Sequence, residues 1–464
     1  MMANERAQTP EDLLAEFVVG AQLADVPSAV RGVVQQIIRT VCGTAIAGST
    51  QDGVPELRDL LVQQGGRSQA RSLVYGDPLP APSAALLNAT MARALDYCDT
   101  MVPGLHLGSS VVVAALTAAE LRGGCTGAEF LAGVIVGLEA GAHLNLTEEQ
   151  YGGFDPTGVA GLFGATAAAA RIVGLTRLQT RDALALSFNR CSGSFQANAD
   201  ASLAVRFIQG FTASNAIQSV QLAQIGITGP RNFLTGRFGY ARLFGRGELT
   251  GESIVAGLGD RWEILGTFFK KFPCCGLAQG PTESVLAMMS EHGLSAETVD
   301  RIDIFLPAFA HALIGRPFEA GANPRVNAQF SAQYCVANAL VRGSSKLAHF
   351  EPENVFKLEG NPILERIAVH HDPAITGHSA SRFVVSSTDG VQRTRALDIG
   401  PGYPGNALTP EEHAHGFDDC LGYASYSLNR EQFEALIDMI DNIEHVEDAR
   451  DLVTHMVSTE APQA

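Results

Sequence analysis

Positive charge is scarce in this chain: 32 Lys and Arg stand against 49 Asp and Glu, a formal charge of −17. That balance excludes nucleic acid and anionic membrane surfaces as partners, because both are held by clustered cations. An anionic ligand must therefore find one of few cations, or a helix N-terminus. Metal spacing is also lacking. The eight cysteines (42, 98, 125, 191, 274, 275, 335 and 420) contain no CxxC pair, and His143, His311, His370 and His371 fall at no ligand spacing. No apolar run is long and clean enough to span a bilayer: residues 130–144 are broken by Glu139 and residues 158–175 by Arg171. No secretory hydrophobic stretch follows Met1 to Glu5, so the expected location is cytoplasmic, with reduced thiols. There is no internal repeat.

What is present is a long, apolar, small-residue-rich chain. At 464 residues it exceeds one simple core, and 46% hydrophobic against 17% charged residues describes a well-buried protein. Gly133, Gly137 and Gly141 fall at i, i+4 and i+8, on one face of a helix made for close contact. Helix starts are written at Thr9-Pro10, Pro27-Ser28, Ser83, Thr126, Thr180, Thr409-Pro410 and Asn429. The period shortens from about Val299, where Ile302, Ile304 and Leu306 alternate with Asp303 and Phe305. Asp389-Gly390 marks a hairpin pairing residues 382–387 with 391–398. Helices are expected over 281–292 and 327–342, between the strands. The expected fold class is mainly α: a large all-helical domain, made of the N-terminal part plus a C-terminal tail, with a smaller α+β domain inserted. The boundaries read as 1–275, 276–404 and 405–464, with fraying after about Val457.

The stretch from Asp96 to Ser109 places Asp96, Asp99, Thr100 and His106 in a loop between two apolar helical segments, 83–95 and 109–121. His106 would precede a helix N-terminus, where unpaired N–H groups and the macrodipole favour anions. Such a loop suits acid/base work on a carboxylate substrate. Asp and Thr before a helix also serve as plain caps, and that reading stands beside the first.

Five stretches, in order along nearly the whole chain, resemble the MmgE/PrpD family: ALDYCDTMVPGLHLGSSVV (94–112), GFDPTGVAGLFGATAAAARIVGL (153–175), KKFPCCGLAQ (270–279), GRPFEAGANPRVNAQFSAQYCVANALVRG (315–343) and PGYPGNALTPEE (401–412). The resemblance implies a helical domain with an α+β lid, a homodimer, and a site in the cleft that needs neither cofactor nor metal. Carried over by position, Asp96, Thr100 and His106 fall on the first site motif and Lys270 on the lysine before the Cys pair. Arg316, Gln329 and Ser331 fall in the later signatures, as pocket or packing residues. His106 is then the acid or base, Asp96 its orienting group, and Thr100 and Asp99 substrate contacts.

Departures from the family pattern bear on the substrate. Asp155 replaces a family histidine, as a substitute base or as a helix cap. Val205 and Ile208 replace a lysine and a histidine, Leu107 replaces a proline, and Gln279 a histidine. Tyr151 reads as a packed aromatic, and Cys274 and Cys275 as a packing turn. Losing one Lys and two His while gaining a carboxylate removes much of the field that a tricarboxylate needs. The expected activity is a lyase or isomerase that abstracts a proton α to a carboxyl or carbonyl, dehydration first, epimerisation or decarboxylation next. Its substrate is a small carboxylic acid less anionic than citrate, facing Val205, Ile208 and Leu107. The rival is a degenerate relative acting as a dimeric binding protein.

Overall fold

The computed structural model describes residues 8–426 and 428–459; Met1 to Glu5 and the chain end beyond residue 459, where fraying was expected, lie outside them. The protein is mainly α, with little strand. Helix starts follow their local chemistry. Thr9 accepts from the Asp12 N–H ahead of helix Pro10–Gly20, and Thr126 and Glu129 close a reciprocal cap on helix Gly127–His143. Two starts differ from the sequence expectation. The helix before the site begins at Ala81 rather than after Ser83, because Pro82 fits its first turn. The helix expected at Thr180 begins at Arg177, because Thr176 and Gln179 cap each other.

Helices Ala81–Arg93, Gly108–Arg122, Gly127–His143, Leu162–Val173 and Ala204–Gln224 pack together as one core. Leu436, Ile440, Leu452 and Met456, from near the C-terminus, are buried in that same core. The glycine stripe sets its tightest contact. A Cβ on Gly137 would stand 2.6 Å from Ala168 Cβ and 2.7 Å from the Gly164 carbonyl oxygen, and one on Gly141 would stand 2.7 Å from Leu107. The apolar helix spanning Pro156–Val173 passes a length-and-composition test for crossing a membrane, but 89% of it is buried inside the fold, as a core helix is.

A second core gathers residues 272–385. Its sheet has the order β4-β3-β5-β6, from β3 (Val299–Leu306), β4 (Ile367–His371), β5 (Ser381–Ser387) and β6 (Gln392–Leu397), following a small ribbon of β1 (Ala70–Arg71) and β2 (Pro78–Leu79). Strands β3 and β4 are parallel; the hairpin pairs Arg382 with Ala396 and turns at Gly390, φ 81°. Helices Gln279–His292 and Ala332–Arg342 pack on this sheet. The helix expected over 327–342 is two helices, because the Ser331 hydroxyl accepts from the Tyr334 N–H and starts the second one there.

Gly137→Ala should destabilise the protein by about 1–3 kcal/mol, through overpacking against Ala168 and the Gly164 carbonyl. Gly32→Ala, in an exposed helix position with nothing within 4 Å, should instead stabilise it by about 0.5–1 kcal/mol. Denaturant unfolding of the two variants measures both.

Candidate active site

The loop at 94–107 is pinned from both sides. Thr100 and Phe268 exchange backbone hydrogen bonds of 3.0 and 2.8 Å, which brings Lys270 alongside. Phe268 in turn stacks on Tyr403, with ring centroids 3.8 Å apart. Upstream, the buried Glu139 carboxylate accepts from the N–H groups of Glu263 and Ile264 and so fixes the approach to this segment.

At the centre lies Asp96. One carboxylate oxygen pairs with Arg93 Nη1, and the other lies 2.9 Å from Lys270 Nζ, which also donates to the Asp96 carbonyl at 2.6 Å. The three side chains are only 5%, 5% and 2% exposed for Asp96, Arg93 and Lys270. Burial pushes the Asp96 carboxyl up, but Arg93 and Lys270 outweigh it and hold it well below the usual carboxylate range. Asp96 sits at φ 52°, a left-handed conformation that Asp tolerates better than most residues.

His106 lies next to this cluster. Its Nδ1 is 3.0 Å from the Asp99 carbonyl and 2.8 Å from Thr100 Oγ1. A carbonyl only accepts, so Nδ1 carries the proton and Nε2 the lone pair. Burial, then the charges of Arg93 and Lys270, hold the imidazole well below its ordinary pKa of 6.5, so it is neutral at pH 7. Asp99 stands behind it. Its Oδ2 accepts from the Gly108 N–H at 3.0 Å, and a Cβ on Gly108 would meet Asp99 Oδ1 at 2.1 Å, which is why glycine begins this helix. Burial raises the Asp99 carboxyl to about 6.

These groups open onto a cleft between the two cores, in whose wall stand Asp96, Thr100, His106, Asp155, Ile208 and Lys270. Several of the sequence candidates lie elsewhere. Asp99 caps the Gly108 helix, as above. Val205, one helical turn before Ile208, packs with Ala201 and Val326 instead and is not part of the cleft wall. Gln329 donates to the Leu95 and Pro273 carbonyls at 2.6 and 3.2 Å, tying the site loop to the turn after Lys270. Arg316 is exposed and borders a separate depression. Ser331 caps a helix, and Tyr151 packs edge-on against Phe195. Sequence reading missed Arg93, Cys275, His378 and Tyr403, which share the cleft wall. Arg93 was findable: a lone cation late in an Ala/Leu helix needs a buried partner. The Cys275 thiol is pushed up to about 12 by burial, so it is not a thiolate.

The family model for the MmgE/PrpD N-terminal domain matches residues 12–252, and that for the MmgE/PrpD C-terminal domain matches residues 272–444. The chain belongs to the MmgE/PrpD family. Cis-aconitate decarboxylase of Mus musculus is 25% identical over 404 residues, 82% of this chain and 80% of that protein. The Homo sapiens enzyme of the same name is 25% identical over 415 residues, 85% and 84% of the two chains. The Aspergillus terreus (strain NIH 2624 / FGSC A1156) enzyme is 23% identical over 402 residues, 80% and 81%.

Against the MmgE/PrpD pattern, the substituted positions serve three different ends. Gln279 accepts from the Lys271 and Phe272 N–H groups at 3.0 Å each and donates to the Phe272 carbonyl at 2.9 Å, so it shapes the turn after Lys270. Leu107 is buried against the glycine stripe, outside the cleft. Asp155 does two things at once: it accepts from the Thr157 N–H at 2.9 Å and faces the cleft, and burial raises its pKa. Of the apolar replacements, Ile208 alone reaches the cleft wall. Among the described residues no group of three or more His, Cys, Asp or Glu is placed to hold a metal ion.

NMR titration of the His106 ring should give a midpoint below 6.5. Lys270→Met should move it upward, because the lysine charge opposes protonation. A wild-type midpoint at or above 6.5 would contradict the electrostatics described here.

Proposed function

We propose that the protein is a lyase or isomerase of the MmgE/PrpD type that works without a cofactor, as a homodimer, on a small carboxylic acid less anionic than citrate. The observation that carries this reading is a neutral imidazole, with Nδ1 committed to the Asp99 carbonyl, in the same cleft wall as the buried Lys270. In the reaction, His106 Nε2 takes the proton from the carbon next to the substrate carboxylate. The C–H electron pair moves toward the carboxyl group, and Lys270 faces the charge that develops there. Thr100 and the Asp99 carbonyl hold the imidazole in the required tautomer.

Dehydration is the first choice for the second half of the cycle. The electron pair returns to form a carbon–carbon double bond, and the β-hydroxyl leaves as water with a proton from Asp155, whose burial favours the protonated form. Decarboxylation is the second reading, supported by the activity that the relatives' names carry. There the C–C bond pair stays on carbon as carbon dioxide leaves, and Asp155, whose burial favours the protonated form, supplies the proton. In the degenerate alternative the fold binds a ligand without turning it over.

Deuterium wash-in at the α-carbon of a panel of small carboxylic acids tests the proton-abstraction step. His106→Ala should slow exchange by roughly 10²–10⁴-fold. No His106-dependent exchange across the panel would favour a binding protein. Turnover of cis-aconitate or 2-methylcitrate at about 1 per second or faster would overturn the substrate class.

A further inference from the structure

The cations of the cleft are not paired one to one with its carboxylates. Arg93 and Lys270 both pair with the single carboxylate of Asp96, which leaves one cation of a buried wall without an ion-pair partner of its own. Arg93 has no second ion partner among the described residues, and its buried Nε–H has no hydrogen-bond acceptor. An uncompensated buried charge is costly, so the cluster is built to receive a negative group. Asp155, the other carboxylate of the wall, makes no ion pair with either cation and accepts from the Thr157 N–H instead. Its raised pKa also lowers its claim on them.

The rest of the cleft holds no further unpaired cation among the described residues: His378 is paired with Glu148, and Asn198 and Tyr403 are neutral. Phe195, Ile208, Leu277, Leu313 and Phe330 stand in its wall, on segments separate from the Arg93–Lys270 cluster. A second or third carboxylate would lose its hydration there without a cation to offset its charge. We propose that Arg93 is the carboxylate-recognising residue of this site, and that its ligand carries one carboxylate on an otherwise apolar body. The guanidinium fork presents planar donors that match a carboxylate, whereas an ammonium in its place offers only a point charge. This inference rests on the cleft being the reactive site proposed above, and deepens that reading to a class of monocarboxylic acid.

Isothermal titration with 3-phenylpropanoate and tricarballylate, neither of which carries a leaving hydroxyl, tests it on wild type, Arg93→Met and Arg93→Lys. Wild type should bind the monocarboxylate about tenfold or more tighter than the tricarboxylate. Arg93→Met should lose at least about tenfold in that affinity, and Arg93→Lys should recover part of it. If Arg93→Met does not fold, the Lys variant and the wild-type preference decide. Tighter binding of tricarballylate, unchanged binding in the Arg93 variants, or no binding of either probe to wild type would overturn the proposal. The two readings fail separately. Arg93-dependent binding with no His106-dependent exchange removes the catalytic reading alone; exchange that persists with Arg93-independent binding removes this one alone.

Discussion

One buried carboxylate holds the site together. Asp96 joins the end of helix Ala81–Arg93, through Arg93, to the segment that carries Lys270. Breaking a buried pair by removing one partner costs about 3–5 kcal/mol, far more than an exposed pair is worth. That is enough to hold Asp96 in a left-handed conformation, which costs of order 1–3 kcal/mol. The same arrangement has a chemical result. It gathers two cations next to His106, and their repulsion helps to keep that ring unprotonated and able to act as a base.

The polar and apolar halves of the cleft are built differently. Acid/base groups sit on elements braced by the helical core, with Asp99 locked to Gly108 and His106 N–H donating to Thr157 Oγ1 at 3.2 Å. The apolar wall is assembled from scattered pieces: Phe195 and Ile208 from the N-terminal part of the chain, and Leu313 and Phe330, which pack against the second core. Proton transfer needs fixed distances, and a hydrophobic wall tolerates changes of shape. A family can therefore keep one reaction step while altering what it acts on.

Much of this was readable in the chain itself. Caps at Thr9, Thr126 and Thr409, the Asp389-Gly390 hairpin and the loop holding Asp96, Thr100 and His106 depend on local chemistry, and local chemistry is what a sequence records. The unread part depended on rotation and on distant partners. Val205 and Ile208 lie three residues apart on one helix, and only its phase against the cleft decides which of them faces ligand. Gln279 looked like a lost histidine, yet its amide is spent on the backbone seven or eight residues before it. Arg316 sits in a family signature, but the turn after helix Ala308–Ile314 carries it to another face. Arg93 was overlooked because a cation inside an Ala-rich helix says that a partner exists, without saying where.

Leu107 follows the site histidine directly and rests its methyl groups where Gly141 has no side chain. The spacing of two core helices is thereby handed to the imidazole as a coordinate. A methyl group added on that glycine would touch no polar atom of the cleft, yet it would push on the residue that follows the histidine. With His106 as the proposed base, the gauge of its distance to substrate is a gap between helices, and the empty space of a glycine then matters to the reaction as much as the base itself.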